Sequence, residues 1–294
     1  MDLSPLVLDL DGSVGSLAGE HRIALADWQE TLRFGCSGEA LKRFGIELES
    51  RLSSSSSMGT VMLGSGDFHH LSQLLIARYV KVRRDAFDVV VLDNHPDNMR
   101  FPFGTHCGSW VSSVAAMSGV SHVHVVGVTS SDVSAARAWE NRLGPLYRGR
   151  LTYWCTGVRT NWARSIGLGR AVREFASMDQ LVEAFSEWTS SSGRKIYLSI
   201  DKDVFAPDVI HTNWDQGQLL ERDVHAMIRT MSGRVIGSDI TGDVSAYRYR
   251  TPWKRLLSRW DGQAEPGAAE LRQWRPAQGA LDRRLVDSIG AATT

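Results

Sequence analysis

The sequence predicts an α/β domain built on a parallel sheet covered by helices on both faces. Three observations carry this reading. Short β-branched runs recur along the chain, they are apolar throughout rather than alternating, and stretches of helical period lie between them. Such βαβ alternation places successive strands parallel, with the crossover helices packed on the sheet.

In chain order, the strand-like runs are 6–10, 60–63, 89–92, 122–128, 151–155, 195–200 and 234–238. Helices are expected at 70–80, 109–117, 132–143 and 178–189, with Asp132 as an N-cap and Gly144 as a stop. The five serines at 53–57 and the run 189–193 read as loops, and neither separates regions of different composition. A single domain over 1–294 follows, with a less regular tail from about 262. Asp261-Gly262 marks a turn, and the polar tail beyond it offers two short helices as an interaction or packing segment.

The balance of 33 Lys+Arg against 33 Asp+Glu in 294 residues argues against a basic nucleic-acid-binding surface. No apolar run approaches the roughly 18 residues of a membrane span, and the first residues combine aspartates with no basic region. Cys36, Cys107 and Cys155 form neither a disulfide framework nor a zinc-finger spacing. A cytoplasmic protein with no nucleic-acid or membrane partner is expected.

Ligands of open parallel sheets gather at the carboxyl ends of the strands. Three such ends carry related chemistry. Run 89–92 leads into Asp93-Asn94-His95-Pro96-Asp97, run 195–200 into Asp201-Lys202-Asp203, and run 60–63 into Gly64-Ser65-Gly66-Asp67-Phe68-His69-His70. Alone, a D-x-D serves as readily as a cap or turn, and a histidine pair as a surface feature. Together and in this order, they point to a shared metal site, because an unpaired buried carboxylate is costly. Four carboxylates and two imidazoles exceed one tetrahedral zinc and suit a pair of divalent ions, foremost Mn²⁺, with Zn²⁺, Fe²⁺ or Co²⁺ as alternatives. Two ions sharing a bridging hydroxide would supply a nucleophile at neutral pH, so hydrolysis is the predicted chemistry.

These motifs resemble those of the ureohydrolases, the arginase/agmatinase/formimidoylglutamase family. The glycine-rich turn ending in a ligand histidine matches Gly66-Asp67-Phe68-His69, and D-A-H-x-D matches Asp93 to Asp97 with Asn94 replacing alanine. S-x-D-x-D matches Ser199 to Asp203, with Pro207 and Gly217 following. The resemblance implies a three-layer α/β/α fold with a mostly parallel sheet of about eight strands. It also implies one ion on His69, Asp93, Asp97 and Asp201, and another on Asp93, His95, Asp201 and Asp203. Retention of Asp97 and Asp203 favours this two-metal branch over the one-zinc deacetylases of the same fold. His106, nine residues after Asp97, matches the family's proton-shuttling histidine. A small guanidino, amidino or formimino substrate and a homo-oligomer complete the implication.

The pattern departs at the stretch Ser238 to Asp243, where the family's guanidinium-gripping glutamate falls on Gly242. Asp243 either takes over that grip as a catalytic and substrate-binding residue or forms a turn with Gly242. Lys202, between two ligand aspartates, stands where an apolar residue is expected. Arginine itself is therefore not the expected substrate. Asn98 is a further candidate substrate contact, and Cys107 is assigned no role. Two other readings remain open. An altered relative could bind metal or ligand without turnover, and Asp9 and Asp11 in Leu6 to Ser13 resemble the first motif of haloacid-dehalogenase-type phosphatases.

Overall fold

A computed structural model describes residues 4–52 and 58–293; the expected serine loop lies outside the described residues. All seven expected strands form: β1 (Leu6–Asp9), β4 (Val61–Gly64), β5 (Phe87–Leu92), β7 (Val120–Val128), β8 (Leu151–Thr156), β10 (Ile196–Asp201) and β11 (Val235–Thr241). Two more, β2 (His21–Ala24) and β9 (Val172–Phe175), complete a parallel sheet of nine strands among the described residues. Its order is β2-β1-β4-β11-β10-β5-β7-β8-β9. A separate antiparallel pair joins β3 (Gly35–Cys36) to β6 (Thr105–His106).

Side chains alternate between two buried faces. In β5, Val89 and Val91 enter one core with Phe44 and Ile76, while Val90 and Leu92 enter the other with Met227 and Leu285. Covering on both sides explains the continuously apolar strands. β2 and β9 are edge strands with partly exposed residues and only four residues each, too short and too polar to show that signature.

The expected helices at 70–80 and 178–189 appear as Ser72–Val82 and Met178–Ser191, the latter capped by Ser177. Residues 189–191 thus belong to a helix rather than a loop. The 109–117 helix shortens to Val111–Ala115. The helix expected over 132–143 is replaced by two 3₁₀ turns, Ser131–Val133 and Ala138–Glu140, and Gly144 begins a short helix instead of ending one. There the Asp132 carboxylate meets Arg137 at 2.5 Å while its carbonyl accepts from Asn141, tertiary contacts in place of a continuous helix. The tail is also more ordered than expected: Ala268–Thr293 is one 26-residue helix that buries Leu281, Leu285 and Ile289.

Helix Pro252–Trp260 leads into Asp261 and Gly262 at the cavity described below. It is anchored by Glu30, whose carboxylate accepts from Thr251 N at 2.9 Å, Thr251 Oγ1 at 2.6 Å and Tyr247 Oη at 2.6 Å. Partial burial raises the Glu30 pKa, but these hydrogen bonds outweigh it and hold the carboxyl down to about 2 from an ordinary 4.5. Because the folded value lies below the unfolded one, the stabilisation is complete above the unfolded pKa and is lost as pH falls through the folded one. Glu30→Gln is expected to flatten the dependence of Tm on pH in that acid window. An unchanged pH profile would remove Glu30 as the anchor.

Candidate active site

Four neighbouring strands, β4, β11, β10 and β5, end on the same side of the sheet. After β4, Ser65 caps the 3₁₀ turn Gly66–Leu71, which carries His69 into the interior at 1% exposure. After β5, the Asp93 carboxylate accepts from His95 N at 2.6 Å, and Asp97 turns the chain back at φ +45°. Aspartate tolerates this left-handed conformation better than most residues. At the end of β10, Asp201 accepts from Asp203 N at 3.1 Å.

The six motif residues converge. His69 Nδ1 lies 3.2 Å from Asp93 Oδ2, 3.0 Å from Asp97 Oδ2 and 3.4 Å from Asp201 Oδ2. His95 Nδ1 lies 2.9 Å from Asp203 Oδ2 and 3.6 Å from Asp93 Oδ1. Two sets have donor atoms within 4.8 Å of one another: His69, Asp93 and Asp97, and Asp93, His95 and Asp203. Asp93 belongs to both.

The chemistry of the donors fits divalent cations. His69 Nδ1 and Asp93 Oδ2 are buried yet have no hydrogen-bond partner, an arrangement that is costly without a further group. Burial and then Asp93 push both Asp97 and Asp203 up to about 7, and burial and then Asp203 raise Asp201. Burial pulls His69 and His95 down, but the surrounding carboxylates more than offset it and hold both above the ordinary imidazole value. The cluster without metal is thus short of positive charge.

Outer partners fix these side chains. His69 Nε2 is 3.0 Å from Ser199 Oγ, which donates to Asp239 Oδ1 at 2.7 Å, while Tyr197 and Ser72 donate to the same carboxylate. Trp110 Nε1 donates to Asp97 Oδ2 at 2.7 Å, and His95 Nε2 meets Asp215 Oδ1 at 2.7 Å. Such partners set ring orientation in metal sites.

A cavity of about 370 Å³ opens over the cluster and is lined by His69, His95, Asp97, Asp201, Asp203 and His106. Its wall adds Asp132, Asp215, Asp261, Trp214 and Arg137, none of which forms a motif and all of which the sequence reading missed. Asp132 was read as a cap only. Arg137 is already engaged by Asp132 and Glu140, so the wall is predominantly acidic.

His106 reaches this cavity, but burial pushes its pKa down to about 4. Its Nδ1 accepts from Gly108 N at 3.0 Å. The ring is therefore neutral near pH 7 with its proton on Nε2. Phe34, stacked on it at 5.8 Å, itself sits at φ +67°. Gly35 permits this approach, since a Cβ there would lie 2.6 Å from His106 Cβ.

Other expected residues lie elsewhere. Asp243 does not line the cavity: its buried carboxylate accepts from Lys202 Nζ at 2.7 Å, and Lys202 also donates to Asp282 at 2.8 Å. Asn98 is likewise outside the lining and donates to Tyr153 Oη at 2.6 Å and Arg142 O at 2.9 Å. Asp11 is buried against Arg33 at 3.1 Å, and Asp9 pairs with Arg22 at 3.2 Å, so the phosphatase-like motif has no place in the cavity. Cys107 lines it, but burial pushes its thiol up, away from a reactive thiolate.

The parallel sheet with helices on both faces defines an arginase-like α/β fold. The chain resembles in structure the Trypanosoma cruzi formiminoglutamase with Mn²⁺ at TM-score 0.53 and 12% identity, covering 94% of this chain and 75% of that one. It resembles the Streptomyces clavuligerus proclavaminate amidino hydrolase at TM-score 0.50 and 17% identity, covering 94% and 92%. Against the Bacillus subtilis formimidoylglutamase the TM-score is 0.51 at 12% identity, covering 97% and 87%. In sequence, an uncharacterised Thermotoga maritima protein is 28% identical over 200 residues, 68% of this chain. That match spans 62% of the relative's length, less than two thirds. No family model matches.

Proposed function

We propose that the chain is a ureohydrolase-type enzyme that uses two divalent metal ions to hydrolyse a linear, non-peptide C–N bond of a small cationic amidino, guanidino or formimino compound. The convergence of His69, Asp93, His95, Asp97, Asp201 and Asp203 beneath one cavity carries this reading. The oxygen-rich donor set favours Mn²⁺. Bound there, the ions would activate water and polarise the carbon under attack. Asp261 lines the cavity beside Asp132 and Asp215, which Arg137 and His95 engage, and would offer a cationic substrate a carboxylate contact without the glutamate absent at Gly242. His106 would donate its Nε2 proton in a hydrogen bond to the departing nitrogen. The three free cysteines support a reducing, cytoplasmic setting.

The test is metal analysis after purification in Mn²⁺, coupled to a screen for urea, ammonia and formamide release. Two ions per chain and one of these products are expected; a metal-free protein would sink the assignment. A loaded protein with no product across the panel would favour a binding role without turnover, the reading that Gly242 motivates. His106→Ala is expected to lower kcat about 100-fold with metal content unchanged. An unaltered kcat would take His106 out of the chemistry.

A further inference from the structure

The opposite end of the sheet holds a second cavity, of about 300 Å³, within the size range of ligand pockets. Strands covered on both faces are ordinarily apolar, yet here one face carries a polar and aromatic row. The register places Asp88 beside His122, His124 beside Thr152, and Trp154 beside Arg173. Trp188 from helix Met178–Ser191 closes over His124 at 3.9 Å between ring centroids, and His122 lies 4.3 Å from His124.

The charges are lopsided. Arg170, Arg173 and Arg194 line the cavity against a single carboxylate, Asp88, which pairs with Arg194 at 3.4 Å. Arg173 has its guanidinium carbon 4.0 Å from the Trp154 ring centroid, and among the described residues neither it nor Arg170 has a carboxylate partner. Burial lowers the pKa of His122 and of His124, leaving both rings uncharged and flat. His122 is occupied by Thr152 at 2.9 Å and His124 by the Trp154 indole at 3.3 Å.

We infer that this cavity is a ligand site, separate from the metal cluster, for a small organic anion with a flat ring. The guanidinium groups of Arg170 and Arg173 would take its phosphate or carboxylate, since planar guanidinium matches either in a bidentate fork. The ring would stack against Trp188 and His122, the half-buried rings of the lining.

Calorimetric titration of the Mn²⁺-treated full chain with adenosine 5′-monophosphate, benzoate, adenosine and inorganic phosphate tests this. One of the two ring-bearing anions is expected to bind once per chain with a Kd below about 1 mM, and adenosine or phosphate alone at least about tenfold more weakly. The stronger of the two distinguishes a phosphate from a carboxylate ligand. Arg173→Ala should weaken that binding at least about tenfold, and so should Arg170→Ala at an exposed position, whereas His95→Ala should leave it unchanged. The inference is overturned if neither ring-bearing anion binds in the millimolar range, if both arginine variants bind normally, or if His95→Ala abolishes binding. The last result would place the anion at the metal cluster.

Discussion

Gly242→Glu is expected to inactivate the protein rather than restore a guanidinium grip. Gly242 sits at φ +95°, a conformation that side chains rarely adopt, and a Cβ there would lie 2.5 Å from Asp201 Oδ1 and 2.6 Å from Lys202 N. Backbone strain of this kind costs about 1–3 kcal/mol, and overpacking adds about 1–3 kcal/mol. A loss near 4 kcal/mol is expected, together with loss of metal, because the first atom displaced belongs to Asp201. Gly242→Ala should reproduce most of both effects, since the clash arises at Cβ. Urea denaturation and metal content measure them. A Gly242→Glu variant with unchanged stability and new guanidine hydrolysis would show that the turn accommodates the longer side chain. Gly242 thus belongs to a local geometry in which β11 closes tightly onto β10, while Asp132, Asp215 and Asp261 stand on the cavity wall.

Those three residues mark the boundary of what the chain reveals before it is folded. The strands and the convergence of the six cluster residues were readable because each signal is short in sequence: an apolar run buried on both faces, followed within a few residues by carboxylates and imidazoles at its carboxyl end. Asp132 and Arg137 were hidden inside a helical periodicity that tertiary contacts override, as their ion pair forms across two 3₁₀ turns. Asp215 and Asp261 come from irregular segments after β10 and after helix Pro252–Trp260, where no local pattern distinguishes a cavity wall from a surface. Asn98 and Asp243 stand outside the cavity lining for a related reason. Proximity to a motif in sequence does not say on which side of the cluster a side chain emerges, and both turn into the protein.

Lys202→Met is expected to destabilise the fold by about 3–5 kcal/mol, the usual consequence of removing one member of a buried ion pair. Lys202 lies fully buried between Asp201 and Asp203, with its ammonium shared by Asp243 at 2.7 Å and by Asp282 at 2.8 Å from helix Ala268–Thr293. Burial pulls its pKa down, but the two carboxylates more than offset this and keep it above the ordinary lysine value. Burial and then Asp282 already push Asp243 up to about 7 despite the lysine. Without the ammonium, both carboxylates would be left in a dry interior. A carboxyl whose folded pKa exceeds its unfolded value destabilises increasingly as pH rises between the two and fully above the folded one. The stability difference from the parent protein should therefore be smaller near pH 5 than near pH 8. Lys202→Met combined with Asp243→Leu and Asp282→Leu should recover most of the loss, because well-packed apolar replacements of a buried ionic triad are often neutral or stabilising. A single variant within about 1 kcal/mol of the parent at pH 8 would contradict the ion-pair account. The C-terminal helix, which had looked like a loose polar tail, reaches through this one ammonium to the segment that holds Asp201 and Asp203. Loss of metal from Lys202→Met alongside its loss of stability would show that the helix supports the site as well as the fold.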